Sequence, residues 1–306
     1  MKFLKSLFFL IILILMSVLQ AADNSTRVIA FAQDTMKNDF RKAQVFEVRD
    51  AAAKYPNLSF VYADGQGQTS LMIRQINQFI QNKVDLIIVG TGDENAVVPV
   101  VTKAHEAGIP VIILDRGVKT QNYTTFINSD NIEIGAIGAR YIAEKLNGNG
   151  LVLLFEGLQA ADVTQLRTKG FLDVMAKYPG ITVIKRTGNY LRKDALLEME
   201  KLVSEGIKVD AIFSESDSML SGVRMVLKRH KIDFASIIMV GCDYTSEAQA
   251  AIRDGSQTGS VLFPLGGQKS VETALKIFAG EKVPHHIVNP VQLVTGDNVD
   301  VVKPIF

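Results

Sequence analysis

The chain has 306 residues, 47% of them apolar, and carries 33 Lys and Arg against 32 Asp and Glu for a formal charge of +1. That apolar content excludes a disordered chain, and the length predicts two domains of ordinary size. Basic residues do not cluster, so nothing points to nucleic acid as a partner.

The first element is a leader. Lys2 and Lys5 precede an almost unbroken apolar run from Leu7 to Leu19, and Gln20-Ala21-Ala22-Asp23 places small residues where cleavage falls. The run is about 13 residues, short of the roughly 20 that span a bilayer, so 1–22 is expected to be a cleaved signal peptide rather than an anchor. Loss of Lys2 and Lys5 takes the charge from +1 to −1. The single cysteine, Cys242, permits no internal disulfide, and no cysteine stands at the cleavage point to take a lipid. Export to a periplasm as a free protein is the expectation. Cys242 itself reads as a small buried hydrophobe.

Beyond the leader, strand and helix patterns alternate to about Phe278. A buried strand over 28–32 is followed by a helix over 39–54, closed by Pro56, and a strand over 58–63. A helix over 70–82 places Leu71, Ile73, Ile76, Phe79 and Ile80 near helical spacing. A strand over 86–89 ends at Gly90-Thr91-Gly92, and a helix over 96–107 stops at Gly108 with Pro110 just beyond. Strands over 111–114 and 124–127 complete the first half. After the turn cluster Asn128-Ser129-Asp130 the alternation restarts. Helices are expected over 132–145, 163–177, 195–204, 218–229 and 247–253, and strands over 151–155, 181–186, 211–213, 237–241 and 258–262. Such alternation means βαβ units and parallel sheets. The break near Asn128 divides too few strands per half for one closed barrel. The expected fold is α/β, with two doubly wound parallel-sheet lobes.

Catalytic signatures are missing: the sequence has no Walker loop, nucleophile elbow or zinc-protease motif. Adjacent His285 and His286 point apart on a strand, which argues against a shared metal. Gly65-Gln66-Gly67 lacks the third glycine of a dinucleotide fingerprint. What remains is polar and aromatic residues at strand ends, where ligands bind in parallel α/β sheets. Ile109–Leu114 ends in Asp115-Arg116, and about 130 residues later Ile237–Gly241 ends in Cys242-Asp243. Asp and Arg together accept from and donate to neighbouring hydroxyls. Asp217 and Asp243 can instead cap the helices that follow them. Phe40 and Arg41 open the first helix, after a loop holding Asp34, Thr35 and Asn38; an aromatic there suits the apolar face of a sugar ring. Arg167, before Gly170-Phe171, is either a site residue or a solvent-facing arginine.

These residues in this order resemble the periplasmic sugar-binding proteins of ABC importers, in the group related to ribose- and galactofuranose-binding proteins. The strand ending in Asp115-Arg116, Ser129-Asp130-Asn131 at a first interdomain crossing, Arg167 with Gly170-Phe171, and Val240-Gly241-Cys242-Asp243 carry the likeness across the mature chain. It implies a hinge of three crossings, with the first lobe at 26–128 plus 263–285 and the second at 130–261 plus 286–306. It implies that Asp115, Arg116, Arg167 and Asp243 bind sugar hydroxyls. Tyr190 falls where the family has an aromatic against the ring, and Phe40 on an aromatic of the first loop. Arg41 resembles the arginine of the galactofuranose branch. The family's Asn-Asp pair is Ser216-Asp217 here, and a polar residue of the third crossing is Leu262 or Phe263, so the sugar itself does not transfer.

The function expected is non-catalytic capture of a monosaccharide, pentose or hexose, by a monomer that serves an ABC permease in the inner membrane, without cofactor or metal. A sensor that presents its ligand state to a receptor or histidine kinase uses the same cleft. A repressor core needs a DNA-binding helix pair where the leader stands, and an enzyme needs a nucleophile and base that the motifs do not supply.

Overall fold

A computed structural model describes residues 26–306; the expected leader, 1–22, lies outside the described residues. The first pass of the chain runs β1 (Arg27–Gln33), α1 (Asp39–Ala52), β2 (Leu58–Asp64), α2 (Thr69–Gln81), β3 (Leu86–Gly90), α3 (Val98–Glu106), β4 (Val111–Leu114) and β5 (Thr125–Ser129). The second runs α4 (Asn131–Lys145), β6 (Asn149–Glu156), α5 (Asp162–Met175), β7 (Gly180–Thr187), α6 (Arg192–Ser204), β8 (Ala211–Ser214), α7 (Asp217–Arg229), β9 (Ile238–Asp243), α8 (Ser246–Arg253) and β10 (Gly259–Leu262). The chain then returns through α9 (Gly267–Phe278), β11 (His286–Asn289) and β12 (Gln292–Thr295).

Two six-stranded sheets result, with orders β11-β5-β4-β3-β1-β2 and β12-β10-β9-β8-β6-β7. Pairing is parallel throughout except between β10 and β12. The two orders superimpose strand for strand, so β4 and β9 are equivalent, and their carboxyl ends carry Asp115 and Asp243. Strands such as Leu86–Gly90 are buried along their whole length because helices cover both faces of each sheet. In the first lobe, α2 and α3 cover one face and α1 and α9 the other. In the second, α4 and α5 cover one face and α6 and α7 the other. No described helix is long and apolar enough to cross a membrane.

The chain passes between the sheets after β5, after β10 and after β11. One expected boundary is corrected. The division gave all of 286–306 to the second lobe, but His286–Asn289 pairs with Phe126–Ser129 in the first sheet. Four residues of alternating exposure are too short to announce a strand, and only pairing with β5 reveals it. The tail beyond β12 is held by the Tyr244 hydroxyl, which donates toward the carbonyls of Val299 (3.2 Å) and Val302 (3.0 Å).

Candidate functional site

The site forms where the strand ends of the two lobes face each other. Asp115 follows β4 with φ 68°, and Asp243 ends β9 with φ 101°. Non-glycine residues rarely adopt such angles, at a cost of about 1–3 kcal/mol each, and they concentrate where a side chain must be aimed. Tyr190, in the loop before α6, has φ 60°. Its ring occupies the space beside Gly157, where any Cβ would strike it. α1 starts at the cleft because Asn38 caps it, accepting from the Arg41 N–H at 3.0 Å. That cap points Phe40 and Arg41 inward.

Asn38, Phe40, Arg41, Asp115, Arg116, Val163, Arg167, Tyr190, Ser216, Asp243 and Phe263 line one small cavity. Eight of the nine site residues expected from the sequence are therefore brought together. The ninth, Asp217, is not. It opens α7 behind the cavity, and its carboxylate accepts from Gln257 Nε2 (2.8 Å), Ser260 Oγ (2.7 Å) and the N–H groups of Tyr244 (2.7 Å) and Thr245 (3.3 Å). Gly241 lets that carboxylate approach, since a Cβ there would collide with it. The cap of α7 is Ser216, whose Oγ accepts from the Met219 N–H at 3.2 Å. Asn38 and Val163 line the cavity although sequence reasoning did not place them in the site; of Leu262 and Phe263, the two candidates for the third crossing, it is Phe263 that lines it.

The charges are buried and ordered. Arg41 Nη2 pairs with Asp115 Oδ2 at 2.8 Å, and Arg116 Nη1 with Asp34 Oδ2 at 2.8 Å. Asp34 follows β1 as Asp115 follows β4, so the strand-end rule applied evenly would have found it. Arg167 is held by neutral acceptors: Nε donates to Asn131 Oδ1 at 2.8 Å and Nη1 to the Glu215 carbonyl at 2.7 Å. Arg116 Nε is buried and has no partner among the described residues. Burial pushes the Asp243 carboxyl up, and nearby Asp217 and Asp115 add to this while Arg167 opposes it. Burial also pushes Glu215 up to about 7, against the Gly157 N–H and Thr168 hydroxyl that donate to it. The Tyr190 hydroxyl meets Thr164 Oγ at 2.8 Å and Glu215 Oε2 at 3.3 Å. Cys242 is buried, and burial raises its thiol pKa. His285 and His286 stand apart from the cavity, stacked on Tyr123 and Phe126. Among the described residues no cluster has the makings of a metal site.

The lobes are closed over this cavity. Asn38 Nδ2 donates to the Tyr190 carbonyl at 2.8 Å, the Gly117 N–H to Asp162 Oδ2 at 2.8 Å, and Ser218 Oγ to Asp39 Oδ2 at 3.0 Å. Each joins one lobe to the other. The chemistry is recognition: paired donors and acceptors, aromatic surface and a hinged enclosure.

Two lobes built on one topology around a shared polar cleft define a hinged solute-binding protein. The chain belongs to the periplasmic binding protein domain family, whose model matches residues 29–282, a family of non-enzymatic solute binders. It is 28% identical over 245 residues to a ribose import binding protein of Bacillus subtilis, covering 79% of each chain. It is 28% identical over 287 residues to a xylitol-binding protein of Mycolicibacterium smegmatis, covering 92% of this chain and 80% of that one. Among solved structures, an ABC transporter solute-binding protein from Bacillus halodurans with bound myo-inositol matches with TM-score 0.86 at 27% identity, covering 92% of this chain and 98% of that one.

Proposed function

We propose that the protein captures a monosaccharide, pentose or hexose in pyranose or furanose form, or a polyol of similar size, between its lobes. It then delivers the ligand, as a periplasmic monomer released from a cleaved leader, to an ABC permease in the inner membrane. The observation that carries this reading is the single cavity in which Arg41, Arg116, Arg167, Asp115 and Asp243 meet beside Phe40 and Tyr190. Vicinal hydroxyls satisfy such a set, each donating to a carboxylate and accepting from a guanidinium. The relatives named above, for ribose, xylitol and myo-inositol, support the same ligand class.

The test is a thermal-shift screen of residues 23–306 against pentoses, hexoses and polyols. A ligand that binds only the folded state adds about 2.7 kcal/mol at a hundredfold excess over its dissociation constant. At least one sugar or polyol is expected to raise the midpoint in a saturable way. No shift with any of them overturns the reading. Deleting the gene should then abolish uptake of the sugar identified, and unchanged uptake would separate capture from delivery.

A further inference from the structure

Glu215 is wholly buried in the turn between β8 and α7, and it supports two residues that line the cavity. Its carbonyl accepts from Arg167 Nη1 at 2.7 Å. Its carboxyl oxygen Oε2 accepts from the Gly157 N–H at 2.8 Å and lies 3.3 Å from the Tyr190 hydroxyl. The other oxygen, Oε1, lies 2.9 Å from Thr168 Oγ, which is also 3.0 Å from Glu156 Oε1. Lys185 Nζ donates to that same Glu156 oxygen at 3.0 Å and supplies its counter-charge. One hydroxyl proton therefore stands between two carboxyl groups. With both ionised, Thr168 can donate to only one of them, and the other faces its lone pairs. A proton on Glu215 resolves this: Glu215 donates to Thr168, Thr168 donates to Glu156, and Lys185 pairs with Glu156. Burial acts in the same direction, pushing Glu215 up to about 7. The charged and titratable groups that face this carboxyl are Glu156 on β6, Arg167 on α5, Tyr190 before α6 and Cys242 on β9, with Lys185 on β7 beyond Glu156. Arg167 is the cation among them that lines the cavity, and it hydrogen-bonds to an amide and a carbonyl but to no carboxylate among the described residues. An ionised Glu215 draws that guanidinium toward itself and away from the cavity.

We propose that Glu215 is a positioning residue of the sugar site that acts as a neutral acid: its proton, donated to Thr168, leaves the Arg167 guanidinium to serve the ligand, and the protein holds its sugar most tightly while that proton is in place. The proposal rests on the sugar-capture reading and adds a proton to the bound complex. The sugar favours the protonated form, so by linkage its binding draws in a proton near neutral pH. Affinity accordingly falls as pH rises through the range in which Glu215 ionises.

The experiment is calorimetric titration with ribose, arabinose, fructose, xylitol and myo-inositol, and with any further sugar or polyol that the thermal-shift screen identifies. From about pH 5.5 to about pH 8.5 the affinity of the parent protein should fall about tenfold. Near neutral pH, titrations in buffers of different ionisation enthalpy should show the parent taking up part of a proton as it binds, a readout that needs no variant. Glu215→Gln keeps an N–H for Thr168 and an oxygen for Gly157. It should bind at the alkaline end as tightly as the parent does at the acid end, without proton uptake. Glu156→Gln removes the charge that opposes ionisation of Glu215, so the fall should move to lower pH. A flat profile or no proton uptake in the parent, a fall that persists in a folded Glu215→Gln, or an unmoved profile in Glu156→Gln overturns the inference and leaves sugar capture standing. If no sugar or polyol binds the parent at any pH, sugar capture falls and the inference with it.

Discussion

The two halves of the cleft hold their charges in different ways. On the first-lobe side the guanidiniums stand beside carboxylates, Arg41 with Asp115 and Arg116 with Asp34, both at 2.8 Å, and Arg41 Nε lies 3.8 Å from Asp34 as well. That half is neutral as built. On the second-lobe side Arg167 leans on an amide and a carbonyl, while burial raises the pKa of the adjacent carboxyls of Asp243 and Asp217. Removing charge from water costs several kcal/mol per ion unless partners replace the lost hydration. The first half supplies opposite charges to its arginines although Arg116 Nε and Asp34 Oδ1 stay without a hydrogen-bond partner among the described residues; the second supplies Arg167 with neutral acceptors only. A cleft built from two copies of one topology thus carries one face whose arginines are paired with carboxylates and one whose arginine is held by neutral groups beside buried carboxyls.

The largest expected effect tests the framework of the second half. Asp217 satisfies four buried donors, so Asp217→Ala should lower unfolding stability by about 3–5 kcal/mol in urea titration. Asp34→Ala, at a partly wetter position in the first half, should cost less. Equal losses would mean that the two halves are not differently built.

The second effect is a pH dependence. Glu215 is held neutral up to about 7 in the folded protein, against a usual value of 4.5. Between those values the folded chain keeps a proton that the unfolded chain gives up, so stability falls as pH rises through this window. Above pH 7 the penalty is complete, at about 3 kcal/mol. Glu215→Gln removes this contribution. Denaturation midpoints from pH 4 to 8 should therefore decline less steeply for the variant than for the parent, and parallel curves would refute the assignment.

Two acid-to-amide changes then set the halves against each other directly. Asp243→Asn and Asp115→Asn should each weaken sugar binding about tenfold to a hundredfold by calorimetry. Their effects on the empty protein should differ in sign. Asp243→Asn removes a carboxyl whose ionisation burial opposes and should raise the thermal midpoint, whereas Asp115→Asn leaves Arg41 without its partner at 2.8 Å and should lower it. Shifts in the same direction would erase the distinction.

The smallest effect concerns closure. Asn38→Asp keeps the oxygen that caps α1 but loses the donor to the Tyr190 carbonyl. Losing one such bond should weaken every ligand about fivefold, through faster dissociation in stopped-flow traces. A loss confined to one sugar would mean that Asn38 reads the ligand rather than the lobes.

Much of this was legible in the chain because parallel sheets covered on both faces leave a plain signature. Val111–Leu114 and Leu86–Gly90 are unbroken apolar runs, and the polar residues that end them mark the cleft rim. Gly108 and Pro110 fixed the turn into β4 without tertiary information. Other features carried no local signal. Asp217 and Asp243 each stand near the end of a strand in similar surroundings, yet one points into the cavity and the other into a cage of Gln257, Ser260 and two backbone N–H groups. The difference lies in φ and in neighbours some 27 to 43 residues away, which no local pattern encodes.

Sequence by itself determined the two α/β lobes, the break near Asn128 and the residues able to meet hydroxyls, because burial periodicity and strand-end chemistry are local properties. Tertiary structure decided which of those residues share a cavity, that β11 joins the first sheet, and which arginine receives which carboxylate. It also placed Phe40 against Phe263, residues more than two hundred positions apart, across the closed cleft. These are matters of long-range pairing and lobe closure, fixed by where the two sheets come to lie rather than by any stretch of chain alone.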